Sequence, residues 1–168
     1  KLHESGRKYS DMAILYRAHY VTRNLEEALL KADIPYTIYS GAQFFDRMEI
    51  KDALCYLRMI AYKDDMAFRR IVNKPKRNIG KRRMDFLTQK AEEEHISLYE
   101  ALKLNLEDPL FKKTKAADFI ELIEYFAKDS QGKPVSEVLS AILDESGYEE
   151  MLRTEGSQER LDDLAELK

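Results

Sequence analysis

The sequence holds a single cysteine, Cys55, so no disulfide can form within the chain, and with no His or Cys close by it makes a poor metal ligand. A small buried side chain is its expected role. Glycine and proline are scarce, six and four in 168 residues, which excludes a collagen-like chain and suits packed helices. No apolar run approaches the roughly 20 residues a membrane helix needs, and the charged opening Lys1-Leu2-His3-Glu4 is unlike a signal peptide, so a cytoplasmic location is expected. Catalytic patterns are missing too. A phosphate-binding loop of the form G-x-x-x-x-G-K-[ST] does not occur: Gly80-Lys81 is followed by Arg82 and has Pro75 where the first glycine belongs. His3, His19 and His95 stand far apart, and no Ser/His/Asp set can be argued. Asp64-Asp65 and Asp162-Asp163 are adjacent pairs, which on a helix do not face each other, so neither is expected to hold a metal. No catalytic residue, metal ligand or cofactor site is therefore expected within the chain.

What is present is length for one ordinary domain, 44% apolar and 35% charged residues, and a net charge of −3 that conceals a strong asymmetry. Arg69, Arg70, Lys74, Lys76, Arg77, Lys81, Arg82 and Arg83 follow one another without an intervening carboxylate. From Asp144 to Glu166 the balance reverses, with nine acidic residues against Arg153 and Arg160. One end attracts phosphate and the other repels it.

Met12-Ala13-Ile14-Leu15-Tyr16 reads as a short buried strand. A helix follows with Thr22 as its cap, Val21, Leu25, Ala28 and Leu29 on one face, and Asp33-Ile34-Pro35 as its stop. Tyr36 to Tyr39, closed by Gly41, reads as a second strand. This βαβ unit is too small to form a sheet alone and looks cut from a larger α/β domain. After Gly41 the pattern turns wholly helical, so the expected fold class is mainly α: a multi-helix bundle over 42–168 behind a βαβ remnant over 1–41. Asp46 with Glu49 suggests a capping box for a helix with Ile50, Leu54, Leu57 and Ala61 on one face. Further helices are expected around Met66 to Val72, from Lys81 through Ala91, from Ser97 through Leu102, and around Leu110 to Phe126. Two more run from Pro134 to Gly147 and along Leu161, Leu164 and Leu167.

The segment Asn73-Lys74-Pro75-Lys76-Arg77-Asn78-Ile79-Gly80-Lys81-Arg82-Arg83 joins a helix stop, a tight turn and a helix start. Unpaired amides at the new helix's first turn, a glycine that permits close approach and flanking cations together suit a phosphate backbone, gripped without base reading. Charge alone also fits a solvated basic face.

The residues carry a resemblance as well. Ala13-Ile14-Leu15-Tyr16-Arg17, Glu26-Glu27-Ala28-Leu29, Ile34-Pro35-Tyr36, Phe44-Phe45-Asp46-Arg47, Glu49-Ile50-Lys51-Asp52-Ala53-Leu54 and Tyr56-Leu57-Arg58 resemble an ordered block of the UvrD/PcrA/Rep-type DNA helicases. The likeness continues through Asp64-Asp65, Phe68, Arg70-Ile71-Val72-Asn73, Pro75, Arg77 and Ile79-Gly80. Beyond Arg83 it rests on helical pattern and on Ser146-Gly147-Tyr148. The resemblance implies part of an ATP-dependent motor moving 3′ to 5′ on single-stranded DNA: the start of its 2A motor domain, then most of a helical 2B insertion that meets the duplex. ATP and Mg²⁺ would serve the parent protein, with their motifs outside this segment. A Gly-Ile-Gly turn in that family meets the duplex backbone; Asn78, Ile79 and Gly80 match it, with the first glycine replaced. Lys51 resembles a family lysine near the same duplex. The expected DNA-contacting set is Lys51, Lys76, Arg77, Asn78, Ile79, Gly80, Lys81 and Arg82. Phe44 and Phe45 are read as core rather than base-stacking residues, and Arg17 and Arg23 as either track-binding or surface groups. The rival classes are a protein-interaction scaffold built on the acidic C-terminal helices, and a standalone nuclease, which would have to show metal-dependent cleavage.

Overall fold

The computed structural model describes residues 3, 5–16, 21–38 and 44–168. Its helices are α1 (Val21–Lys31), α2 (Met48–Tyr62), α3 (Asp65–Ile71), α4 (Lys81–Glu94), α5 (Leu98–Leu104), α6 (Ala116–Asp129), α7 (Val135–Glu145), α8 (Tyr148–Thr154) and α9 (Gln158–Leu167). The protein is mainly helical, as expected. The βαβ remnant is not seen: among the described residues there is no strand, and Met12–Tyr16 and Tyr36–Ile38 take no regular structure. Tyr39 and Gly41, which would close the second strand and mark the domain boundary, lie outside the described residues, as does Arg17. A strand needs a neighbour for its N–H and C=O groups, and the described residues supply none. Ile14 and Leu15 consequently stand 56% and 94% exposed.

Helix α1 buries a different face from the one the apolar spacing suggests. Thr22 and Glu26 are its buried residues, while Val21, Leu25 and Leu29 are only partly covered. Glu26 accepts hydrogen bonds from the Phe44 amide (3.1 Å) and the Tyr36 hydroxyl (3.1 Å), which ties α1 to the start of the bundle. Thr22 is inside the helix rather than its cap, and its hydroxyl has no hydrogen-bond partner among the described residues.

The bundle is organised around α2, which packs against α3, α6, α7 and α9. Its buried line is Ile50, Ala53, Tyr56, Met59 and Ile60, with Glu49 and Asp52 buried beside them. Leu54 and Leu57 are only partly covered and Ala61 is exposed, so the core face is rotated from the expected one. The displacement follows from Asp52, a carboxylate that finds cations and a phenol inside the fold and so shares the inner face with apolar side chains. Cys55 is half-buried against the core rather than enclosed, and burial pushes its thiol above the ordinary value. Asp46 does not cap α2; Arg47 holds that position without a side-chain bond, and Asp46 pairs with Lys51 at 2.7 Å.

Other helix ends follow their sequence signals closely. Asp64 accepts from the Ala67 amide and Ser97 from the Glu100 amide, each filling one orphan donor of a first turn. Gly147, at φ 75°, separates α7 from α8. Helix α8 has no clear signal in the sequence. It is only seven residues long, too few for periodicity to stand out, yet Tyr148 and Leu152 are buried.

Helix α9 returns to the start of α2. Arg47 pairs with Asp163 across 116 residues of sequence, both side chains largely covered, and Arg160 lies 3.9 Å from buried Glu49. Burial, and then the neighbouring Asp163 carboxylate, raise the Glu49 carboxyl above its ordinary value of 4.5. A raised value means that the folded chain keeps this proton longer than the unfolded chain does. The site's contribution to stability is therefore fully present below pH about 4.5 and falls as pH rises through the folded value. Replacing the charge with its neutral isostere, Glu49→Gln, is expected to flatten that decline and to raise the thermal midpoint at pH 7 by about 2–4 °C, the shift about 1 kcal/mol gives a domain of this size. A lower midpoint in calorimetry at neutral pH would show that Arg160 outweighs the repulsion.

Candidate nucleic-acid interface

The connection from α3 to α4 carries the longest run of cations in the chain, and the structure sorts them by what each side chain touches. Arg70 and Lys74 turn inward to Asp52, at 2.6 and 2.9 Å. Arg69 reaches the Thr88 hydroxyl, and Arg83 donates to the Leu110 carbonyl at 2.7 Å. Arg77 is 5% exposed. Lys76, Lys81 and Arg82 are exposed, and among the described residues none has an ion-pair or hydrogen-bond partner for its charged group.

Arg77 is the internal brace of the turn. One of its terminal nitrogens donates to the carbonyls of Ile71 (3.1 Å), Val72 (3.3 Å), Lys74 (3.1 Å) and Pro75 (3.4 Å). The other faces the Tyr56 hydroxyl (3.3 Å) and the Ser146 carbonyl (3.4 Å), and the guanidinium lies 5.0 Å from the centre of the Phe119 ring. Its charge is thus spent on carbonyl dipoles and a ring face inside the fold. Asn73 supplies the second brace: its Oδ1 accepts from the amides of both Arg77 (2.8 Å) and Ile79 (3.1 Å). The Ile79 side chain is buried in the core. A third brace stands below, where Asp52, 2% exposed, also accepts from the Tyr148 hydroxyl at 2.9 Å. Burial first, and Asp52 second, push the Tyr148 phenol far above its ordinary range, which keeps it a donor.

The outer side of the turn is built differently. Asn78 is exposed at φ 60°, the left-handed region that asparagine tolerates better than most residues. Gly80 precedes α4 in an extended conformation, φ −86°, and a Cβ built there would meet nothing within 4 Å. Helix α4 begins with no side-chain cap and no acidic residue in its first turn. Its opening amides and the positive end of its dipole are joined by Lys81 and Arg82. No carboxylate in that turn offsets the dipole, so the exposed Lys81 and Arg82 leave a positively charged corner.

Comparison with known proteins bears on what that corner meets. A sequence model of the family described as UvrD-like helicase C-terminal domain matches residues 1–163. The chain belongs to that family. A Staphylococcus epidermidis protein named ATP-dependent DNA helicase PcrA is 42% identical over 172 aligned residues, taking in 99% of this chain and 24% of the relative. Its Staphylococcus aureus namesake is 40% identical over the same extent. The chain spans about a quarter of the length of the curated relatives it matches.

Within this UvrD-like chain, Lys76, Asn78, Gly80, Lys81 and Arg82 share the exposed turn, whereas two of the expected contact residues are redirected inward. Arg77 and Ile79 cannot offer their side chains to an outside ligand, because the first is consumed by internal acceptors and the second by apolar packing. Lys51 is exposed on α2 and paired with Asp46 at 2.7 Å. Phe44 is core and Phe45 lies partly exposed against it, while Arg23 pairs with Glu27 on its own helix at 3.0 Å. Sequence reasoning missed Asn73, Asp52 and Tyr148 as supports of the turn. The available signal was the compatibility of Asn73 with an Asx-type turn after α3; Asp52 and Tyr148 meet only through the fold.

Arg77→Lys tests the brace. A lysine brings three donors and no planar fork, so the carbonyls now served by two nitrogens lose partners in a buried setting. The thermal midpoint is expected to fall by roughly 4–12 °C, corresponding to about 2–3 kcal/mol; an unchanged melt would mean that the guanidinium bonds add nothing to the fold.

Proposed function

We propose that this chain is the duplex-contacting and regulatory part of an ATP-dependent DNA helicase that moves 3′ to 5′, and that the α3–α4 turn is where it grips the backbone of double-stranded DNA. The observation that carries the reading is the combination at the start of α4. Unpaired cations, an uncapped helix terminus and a glycine with open space above it converge on one outward corner. Each is unfavourable or idle for the isolated fold, and all three suit a phosphate. The likeness to proteins named ATP-dependent DNA helicase supports DNA as the polyanion.

The contact set in this reading is Lys76, Asn78, Gly80, Lys81 and Arg82. Lys51 contributes less because Asp46 shares its charge. Residues 1–41 belong with the motor part of the parent protein and 42–168 form the 2B-like body. The exposed Ile14 and Leu15 fit a strand whose sheet neighbours come from the rest of that motor. ATP and Mg²⁺ act in the parent, in the cytoplasm, with this chain contributing no nucleotide site and no hydrolysis of its own. Its partners are DNA and the remaining helicase domains.

The test is the salt dependence of binding to a mixed-sequence duplex of roughly 20 base pairs, followed by fluorescence anisotropy. Lys76→Ala and Lys81→Ala are each expected to reduce the slope of log affinity against log salt by about 0.9. Gly80→Ala should weaken binding while leaving the melt unchanged, since the added methyl meets open space within the chain. Unchanged slopes in both lysine variants would remove the turn from the site. No binding to the wild-type chain at low salt would pass the assignment to a protein-interaction scaffold.

A further inference from the structure

A second cationic segment, distant in sequence, is fastened to the edge of the turn. Phe111-Lys112-Lys113-Thr114-Lys115 connects the region after α5 to α6. Phe111 is buried and its ring lies 5.9 Å, centre to centre, from that of Phe86 on α4, so the segment is anchored by its apolar residue. Thr114 closes it locally, donating to the Phe111 carbonyl (2.7 Å) and accepting from the Ala116 amide (3.2 Å). Two bonds then join it to the turn. The Lys115 amide donates to the Arg77 carbonyl at 3.1 Å, and the Asn78 side-chain amide donates to the Lys113 carbonyl at 3.4 Å.

The first of these is backbone to backbone and sets the two loops side by side. The second depends on the residue that stands where the family pattern has glycine: Asn78 both adopts the left-handed angle and reaches across to the neighbouring loop. Lys112, Lys113 and Lys115 are exposed, and no ion pair engages any of them among the described residues. The corner therefore does not end with the turn. Lys76 in the turn, Lys81 and Arg82 at the start of α4, and Lys112, Lys113 and Lys115 on the adjoining loop are six exposed cations with no ion-pair partner among the described residues.

We infer that the Lys112–Lys115 loop is a second contact element for the same nucleic-acid backbone, held in register by Asn78 and by the Lys115 amide, so that the chain neutralises phosphates with both loops together. This rests on the assignment of the turn to duplex DNA. Like charges on adjoining segments with no ion-pair partner among the described residues repel one another; a rod of phosphates carrying one charge per roughly 1.7 Å of axis supplies counter-charge to both. A single loop of three cations covers a smaller stretch and yields a correspondingly shallower salt dependence.

The experiment compares three proteins on the same duplex: the wild-type chain, the loop variant Lys112→Gln/Lys113→Gln/Lys115→Gln, and the turn variant Lys76→Gln/Lys81→Gln/Arg82→Gln. The loop variant is expected to lose up to about 2.7 units of salt slope, about 0.9 for each lysine, and to bind roughly ten- to a hundredfold more weakly at moderate salt, with the turn variant losing a similar amount. Loss in the turn variant alone overturns the second element and leaves the turn's function standing. Loss in the loop variant alone overturns the shared contact. Absence of duplex binding by the wild-type chain overturns the functional assignment itself, and the inference with it. Lysine acetylation of the wild-type chain, read by mass spectrometry with and without duplex, serves independently of variant folding. Protection of Lys112, Lys113 and Lys115 together with Lys76 and Lys81 supports the second contact element, and protection confined to Lys76 and Lys81 refutes it.

Discussion

Taking a guanidinium out of water leaves its N–H donors in need of acceptors, and the acceptors Arg77 finds are the carbonyls at the end of α3 and in the turn that follows. Helix α3 ends at Ile71 with carbonyls that its own ladder cannot satisfy. Arg77 folds back beneath them, and Tyr56, Ser146 and the Phe119 ring close around it from α2, the end of α7 and α6. One buried cation thus ties together segments that meet nowhere else in sequence. The turn's outer surface is what that inner arrangement leaves: with Arg77 and Ile79 buried, Lys76, Asn78 and Gly80 are its exposed residues.

The cation run is divided by the acceptors that the fold supplies. In sequence, eight basic residues in succession look like one electrostatic patch. In the fold, Asp52 claims Arg70 and Lys74, carbonyls claim Arg77 and Arg83, and Thr88 claims Arg69. Those residues give rigidity. The cations left over give charge to the outside, and rigidity is what lets them present it in a fixed geometry rather than on a mobile loop.

The helical segments were legible where local signals were strong. Ser97 announced α5, Lys81 to Ala91 kept a helical period, and Gly147 marked the end of α7, because each is decided within a few residues. The core face of α2 was not legible. Periodicity assigns apolar side chains inward, whereas here Asp52 and Glu49 are buried through partners more than a dozen residues away. The strands failed for a related reason: Met12–Tyr16 has the composition of a strand, but pairing is a property of neighbours. Of the proposed contact surface, the turn is legible in its charges and its Gly80, while the neighbouring Lys112, Lys113 and Lys115 are not, because proximity between residues 78 and 113 is created by tertiary hydrogen bonds alone.

The contact between Arg47 and Asp163 has a topological meaning. It brings the first residues of the helical body against its last helix, so the intervening 115 positions form a closed excursion that departs and returns at one place. Such an excursion can be grafted into a single loop of a host domain without stretching it.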